Sequence, residues 1–298
     1  MKICFIHSNR SEYSILSSFI EYFKKKSDVD VIDLRLKIRK LDEDKNLYKV
    51  YQFCYKKFSL QSYDYVVILG DRRELPFIAL AAFYLDIKII HLAAGEYIPR
   101  VTNYDQYIRP IVSILSTFQI SFSKKAESEV KKLFSGISYL TPNSLTLGNP
   151  VFEKSNLKKI PRIVKGNYDL VLAHPQSLSR QETTNDLILL KKYLKKKKTI
   201  FIYGNNDKNS DLIKKFYQEL KLSEPNYSFI KTLSKEKYFS YVKYCDNFFT
   251  NSSGISEIEL LNNKCLKIIG KRNKNRSKMI FDKNSPKFLH KLLLKKLG

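Results

Sequence analysis

The sequence is poor in the residues that build metal centres and disulfide frameworks. Its four cysteines, Cys4, Cys54, Cys245 and Cys265, are spread over 298 residues, and none is paired at metal-ligand or redox spacing. Two of them lie within apolar, strand-like runs, so a reducing, cytoplasmic compartment is expected. Four widely scattered histidines argue against a zinc site. No apolar run approaches the roughly 20 residues of a membrane span; 66–69 and 80–85 are among the longest. The opening Met-Lys-Ile-Cys-Phe-Ile-His is too short for a signal peptide and precedes no small-residue cleavage site, so it reads as a first β-strand.

Acidic residues are the other shortage, 29 against 54 Lys and Arg, which leaves a net charge of +25. Such a field speeds encounter with polyanions, phosphorylated substrates and acidic membranes alike. The excess is nearly all lysine and runs through both halves, so a dedicated nucleic-acid face is not expected.

With 43% hydrophobic residues, the chain holds enough apolar material for two modest cores or one large one. Short apolar runs alternate with longer amphipathic segments, the pattern of βαβ units around a parallel sheet. Strands are predicted over 2–7, 29–34, 65–69, 87–91, 118–122 and 144–147, then 169–173, 199–203, 228–230, 247–250 and 265–269. Helices are predicted over 12–24, 44–58, 74–84, 104–116 and 124–134, then 182–196, 210–220, 235–244 and 255–261. A basic amphipathic segment, 287–297, reads as a packing helix, with membrane contact as the alternative. A Lys-rich, Pro-interrupted stretch over 154–166 reads as a linker. The expected architecture is therefore α/β, with two Rossmann-like doubly wound domains, 1–153 and 154–298, facing a central cleft.

Such sheets bind ligands at the C-terminal ends of their strands, where helix N-termini offer amides to anions. The polar motifs fall there. Arg10, in Ser8-Asn9-Arg10-Ser11-Glu12-Tyr13, can clamp a phosphate or belong to a solvated cap. Asp71, in Gly70-Asp71-Arg72-Arg73-Glu74, suits a base or orienter, or a plain helix N-cap. In His91-Leu92-Ala93-Ala94-Gly95-Glu96 the small residues admit a ligand, Glu96 sits at the strand's mouth, and His91 reads as a strand-end residue. Asp105 and Arg109 lie four apart on one helix face, and alone would be a surface ion pair. In the second half, His174-Pro175, Gly204-Asn205-Asn206-Asp207 and Thr250-Asn251-Ser252-Ser253-Gly254-Ile255-Ser256-Glu257 all follow strands. The last is suited to a diphosphate. Glu257 could take ribose hydroxyls, though an acid is also simply favourable in a helix's first turn.

In order and spacing these motifs, with Gly148-Asn149-Pro150 and the stretch 270–276, resemble the hydrolysing UDP-N-acetylglucosamine 2-epimerases. The resemblance runs through most of the chain. It implies a glycosyltransferase-B fold, a UDP-sugar substrate, a reaction that needs no metal or cofactor, and a homodimer. It makes Asp71, Glu96 and Asp105 the acidic catalytic positions. Arg10, His174, Ser252, Ser253 and Gly254 would cradle the diphosphate, and Glu257 would hold the ribose. Leu233 would lie near the uracil, with Asn206 and Arg109 as further substrate contacts. This chain also departs from the pattern. Ala93 stands where many relatives carry an acid, the loop over 97–104 is long, and one Ser of a Ser-Ser-Ser-Gly run is missing. A glycosyltransferase of the same fold and a degenerate UDP-sugar binder therefore stay open beside the epimerase.

Overall fold

A computed structural model describes residues 1–35, 47–96, 104–150, 159–204, 207–231, 233–252, 254–262, 264–272 and 278–297. They form two compact units, the first from 1–96, 104–150 and 279–297, the second from the described residues of 159–278. Both are doubly wound α/β layers, as the alternation of strand and helix predicts.

The first unit carries β1 (Lys2–His7), α1 (Arg10–Lys24), β2 (Asp28–Asp33), α2 (Leu47–Ser59), β3 (Tyr65–Leu69), α3 (Leu75–Phe83), β4 (Lys88–Leu92), α4 (Asp105–Leu115), β5 (Phe118–Ser121), α5 (Lys124–Ser135) and β6 (Ser144–Thr146). Its sheet runs β2-β1-β3-β4-β5-β6, with the pairings parallel. The Val- and Ile-rich β3 is buried along its whole length, as a strand covered on both faces must be. Successive residues point to opposite faces, so Phe5 and Val67 pack in one core while Cys4 and Val66 pack in the other. On α1, Leu16, Phe19, Ile20 and Phe23 recur at helical spacing and all are buried. Asn9 caps that helix by accepting from the Glu12 amide at 2.8 Å.

The second unit carries β7 (Asp169–Leu172), α6 (Arg180–Tyr193), β8 (Thr199–Ile202), α7 (Ser210–Ser223), β9 (Tyr227–Ile230), α8 (Lys235–Tyr244), β10 (Phe248–Thr250), α9 (Ile255–Asn262) and β11 (Leu266–Ile268). Its parallel sheet runs β11-β10-β7-β8-β9. The strand order reverses between β1 and β3 in the first sheet and between β7 and β10 in the second. Those two switch points are where an open α/β sheet leaves a crevice.

Two expectations need correcting. The predicted helix over 182–196 stops at Tyr193, because Leu194 turns extended and packs against the core. A lysine run is compatible with helix, but the chain must turn there to enter β8 at Thr199. The end of the expected second domain instead belongs to the first unit. A last helix, α10 (Ser285–Leu297), buries Leu289 and Leu293 completely in the core with Phe19 and Phe23. The chain is stitched back on the way, as the Ile280 amide donates to Phe122 at 2.7 Å and the Asn149 amide to Ile280 at 2.7 Å. The basic helix thus spends its apolar stripe on packing. Among the described residues, no helix is long and apolar enough to cross a membrane.

Candidate active site

The crevice of the first unit is walled by the turns after β1, β3 and β4. Glu12 reaches back from α1 and accepts from the Ser8 amide at 2.6 Å and the Ser8 hydroxyl at 3.0 Å. Its other oxygen, Oε1, is buried without a hydrogen-bond partner among the described residues. Burial, reinforced by the nearby Glu74 carboxylate, raises the Glu12 pKa to about 7. Glu74 is itself buried and pairs with Arg72, Nε to Oε1 at 3.3 Å.

Asp71 follows β3 and is ion-paired with the buried Arg109 of α4, whose other terminal nitrogen donates to the Ala93 carbonyl. One guanidinium therefore ties the turn after β3 to the turn after β4. Ala93 adopts a left-handed backbone, φ 60°, and Gly95 another, φ 77°. For alanine that costs about 1–2 kcal/mol, which the fixed carbonyl offsets. Gly95 has no substitute, since a Cβ there would collide with the Ala126 backbone. Glu96 follows, 2% exposed.

Beneath these turns, His91 is fully buried between Ser113 Oγ, 3.0 Å from Nδ1, and the Gly70 carbonyl, 2.7 Å from Nε2. Burial lowers its pKa to about 4, so the ring is neutral and can donate only from one nitrogen. Donation to Gly70 braces the turn that carries Asp71.

The crevice of the second unit has a different character. Asn251, after β10, accepts from the His174 amide at 2.7 Å and donates to the His174 carbonyl at 2.8 Å, joining the two strands that flank the switch point. Thr250 donates to the Leu172 carbonyl at 2.7 Å and accepts from the Ser252 amide at 3.0 Å. The Ser252 hydroxyl in turn accepts from the Gly254 amide at 3.2 Å, just before α9 begins. Glu257 folds back over this turn, so that a Cβ on Gly254 would come within 2.6 Å of its carboxylate. Burial, with the Arg272 charge, lowers the His174 pKa to about 3 and keeps that ring neutral. Leu233 lies one residue before the α8 cap, partly buried against the core. Among the described residues, no cluster of His, Cys, Asp and Glu could hold a metal ion.

The sequence profile of the UDP-N-acetylglucosamine 2-epimerases matches residues 6–282. The chain belongs to that family. Among its relatives, the polysialic acid biosynthesis protein P7 of Escherichia coli is 31% identical over 232 residues, 74% of this chain and 58% of that protein. The GDP/UDP-N,N'-diacetylbacillosamine 2-epimerase (hydrolyzing) of Campylobacter jejuni is 29% identical over 225 residues, 72% and 58% respectively. The match thus spans little more than half the length of either relative. Among the solved structures that share the fold are two that cover nearly the whole chain. They are the UDP-GlcNAc 2-epimerase of Methanocaldococcus jannaschii in complex with UDP-GlcNAc and UDP, and the S. aureus MnaA-UDP co-structure. The first has a TM-score of 0.74 at 17% identity, covering 99% of this chain and 100% of its own. The second has a TM-score of 0.75 at 16% identity, covering 99% and 96%.

For this family member, several of the sequence-predicted positions gather at the two crevices. Asp71, Glu96 and Arg109 are in the first; His174, Ser252, Gly254 and Glu257 are in the second. Asp71 does not cap a helix: the N-cap of α3 is Glu74, which makes no side-chain cap bond. Arg109 does not form a surface pair either, because it is buried against Asp71. Arg10 and Asp105 begin α1 and α4, but their side chains lie outside the described residues, as do Asn206 and Ser253. Glu12 and Asn251 were visible only as members of motifs. Glu12 reads as an ordinary helix-start acid until burial sets its charge, and Asn251 becomes a clamp only once β7 lies beside β10.

Proposed function

We propose that this protein is a hydrolysing 2-epimerase converting a UDP-N-acetylhexosamine, UDP-GlcNAc or a diacetamido relative, to UDP and the free 2-epimeric sugar. The observation that carries this reading is the division of chemistry between the two switch points. Glu12, Asp71, Glu74 and Glu96 gather at the first. The turns after β7 and β10 offer amides and hydroxyls instead, with Glu257 folded over the second turn and Arg272, from the turn after β11, bonded to its Asn251 carbonyl. The reaction needs both kinds of site. A carboxylate takes the C2 proton, the C1–O bond to UDP breaks as C1=C2 forms, and the leaving diphosphate is met by donors. Water then adds across the double bond, hydroxyl to C1 and hydrogen to C2 from the opposite face.

In this reading Asp71, Glu96 and Asp105 move protons, and Arg109 holds Asp71 in place. Arg10, His174, Ser252, Ser253 and Gly254 bind the diphosphate, Glu257 the ribose, and Leu233 and Asn206 complete the nucleotide pocket. The name of the E. coli relative supports a place in surface-polysaccharide sugar synthesis, and four buried free thiols fit a reducing cytoplasm. Incubation with UDP-GlcNAc and with a UDP-diacetamido sugar tests it, by assaying UDP and free sugar together. Equal release of both without any acceptor is expected, and no UDP above background from either donor overturns it. Ala93 favours one second reading, a UDP-sugar binder without turnover. It predicts tight UDP binding, no product, and gain of activity in Ala93→Glu.

A further inference from the structure

The hydrogen bonds around the second crevice converge on a residue outside every motif. Asp186 lies on the buried face of α6 and is 6% exposed. One of its oxygens, Oδ2, accepts from Gln176 Nε2 at 3.0 Å and from Asn251 Nδ2 at 3.1 Å. Its other oxygen faces Gly270, which has a left-handed φ of 63° and no room for a Cβ, since one would collide with Asp186 Oδ1. Gln176 follows β7, Asn251 follows β10 and Gly270 follows β11. Three separate turns of the crevice therefore meet on one carboxylate.

Through Asn251 the arrangement reaches the His174 amide and carbonyl, and Arg272 Nη1 adds a bond to the Asn251 carbonyl at 3.4 Å. Gln176 is fixed from its far side as well, by Asn209 donating to its carbonyl at 2.8 Å and by Thr183 accepting from its amide at 2.9 Å. A buried carboxylate on a sheet-facing helix surface is costly unless its hydrogen bonds are made. Burial raises the Asp186 pKa, opposed by the Gln176 and Asn251 donors and by Arg272. Such a group has no packing advantage over the Leu187 beside it. Its use is to hold turns that have no regular structure of their own, so that a ligand does not have to order them.

We propose that Asp186 is a positioning residue for the second crevice, holding the turns after β7, β10 and β11 in one arrangement through Gln176, Asn251 and Gly270. This rests on the reading that the crevice binds the UDP moiety. Asp186 acts through Asn251 on His174.

Hydrogen exchange and UDP titration on the full chain, applied to Asp186→Leu, Asp186→Asn and Gly270→Ala, test it. In Asp186→Leu, exchange rises in peptides spanning 173–178, 250–254 and 268–272, while β1, β3 and β4 keep their protection. UDP affinity falls by about tenfold or more, the worth of one or two buried hydrogen bonds. Gly270→Ala acts from the opposite side and has the same effect. Asp186→Asn retains most of the affinity, because a single oxygen accepts both donors. Unchanged exchange in the three turns of Asp186→Leu overturns the proposal, as does loosening that leaves the affinity of a UDP-binding wild type untouched. Loosened turns in a chain whose wild type does not bind UDP support the positioning role and overturn the UDP reading instead.

Discussion

Arg109 joins Asp71 and Ala93, one guanidinium pairing with the carboxylate after β3 and donating to the carbonyl after β4. The Asp71 side chain is 24% exposed and that of Arg109 only 4%, so the two ends of the pair have unequal access to water. Removing the arginine strands a carboxylate that solvent can still reach. Removing the aspartate strands a buried cation.

Asp71→Asn should therefore lose turnover by about a hundredfold or more, the worth of a positioned base, while UDP affinity is kept. Measuring kcat together with UDP binding separates the two. Turnover near the wild-type level would remove Asp71 from the proton-transfer role.

Arg109→Met should destabilise the protein by about 2–3 kcal/mol, below the ~3–5 kcal/mol of a fully buried broken pair, because Asp71 retains some hydration. Urea unfolding checks the size.

Glu12 and His91 should give stability opposite slopes with pH. The Glu12 pKa is raised in the folded state from 4.5 to about 7, so the folded chain holds the extra proton. Stability from this group is present below pH 4.5 and is lost as pH rises through 7, by about 3 kcal/mol at most. The His91 pKa is lowered from 6.5 to about 4, so its contribution is present above pH 6.5 and lost as pH falls towards 4. Unfolding curves from pH 4 to 8 should show the first slope vanish in Glu12→Gln and the second in His91→Asn.

Ser252→Ala removes the hydroxyl that accepts from the Gly254 amide. UDP affinity should drop by about 1–3 kcal/mol, the range for hydrogen bonds that include charged ones, with the melting temperature nearly unchanged. Calorimetric titration against UDP measures it.

Leu289→Ala and Leu293→Ala should each cost about 2–5 kcal/mol as buried leucine truncations, although both follow the second unit in sequence. Residues 1–153 expressed alone should lack a stable fold, since α10 completes their core. Circular dichroism and thermal melting of that fragment provide the check.

The strands and helices were legible because periodicity is local. Val66 to Leu69 can only be a covered strand, and Leu16, Phe19, Ile20 and Phe23 can only be one face of a helix. The placing of polar motifs after strands was legible for the same reason, and with it the loops that line both crevices. Local pattern did not say which side chains would pair. Arg109 reads beside Asp105 because they are neighbours along a helix, and only the fold brings it to Asp71, which follows β3. Glu12 carried an ordinary acid's pKa until burial raised it.

By itself the sequence determined two parallel α/β layers, their element order and the polar turns at their strand ends, since each depends on residues close along the chain. Only the tertiary structure decided that the last helix belongs to the first unit, and that Arg109 bridges Asp71 and Ala93. It alone showed Asp186 gathering three turns. Those relationships join residues 10 to 273 positions apart, such as Gln176 with Asp186 and Leu16 with Leu289, and burial and hydrogen bonding choose such partners only when the chain has folded.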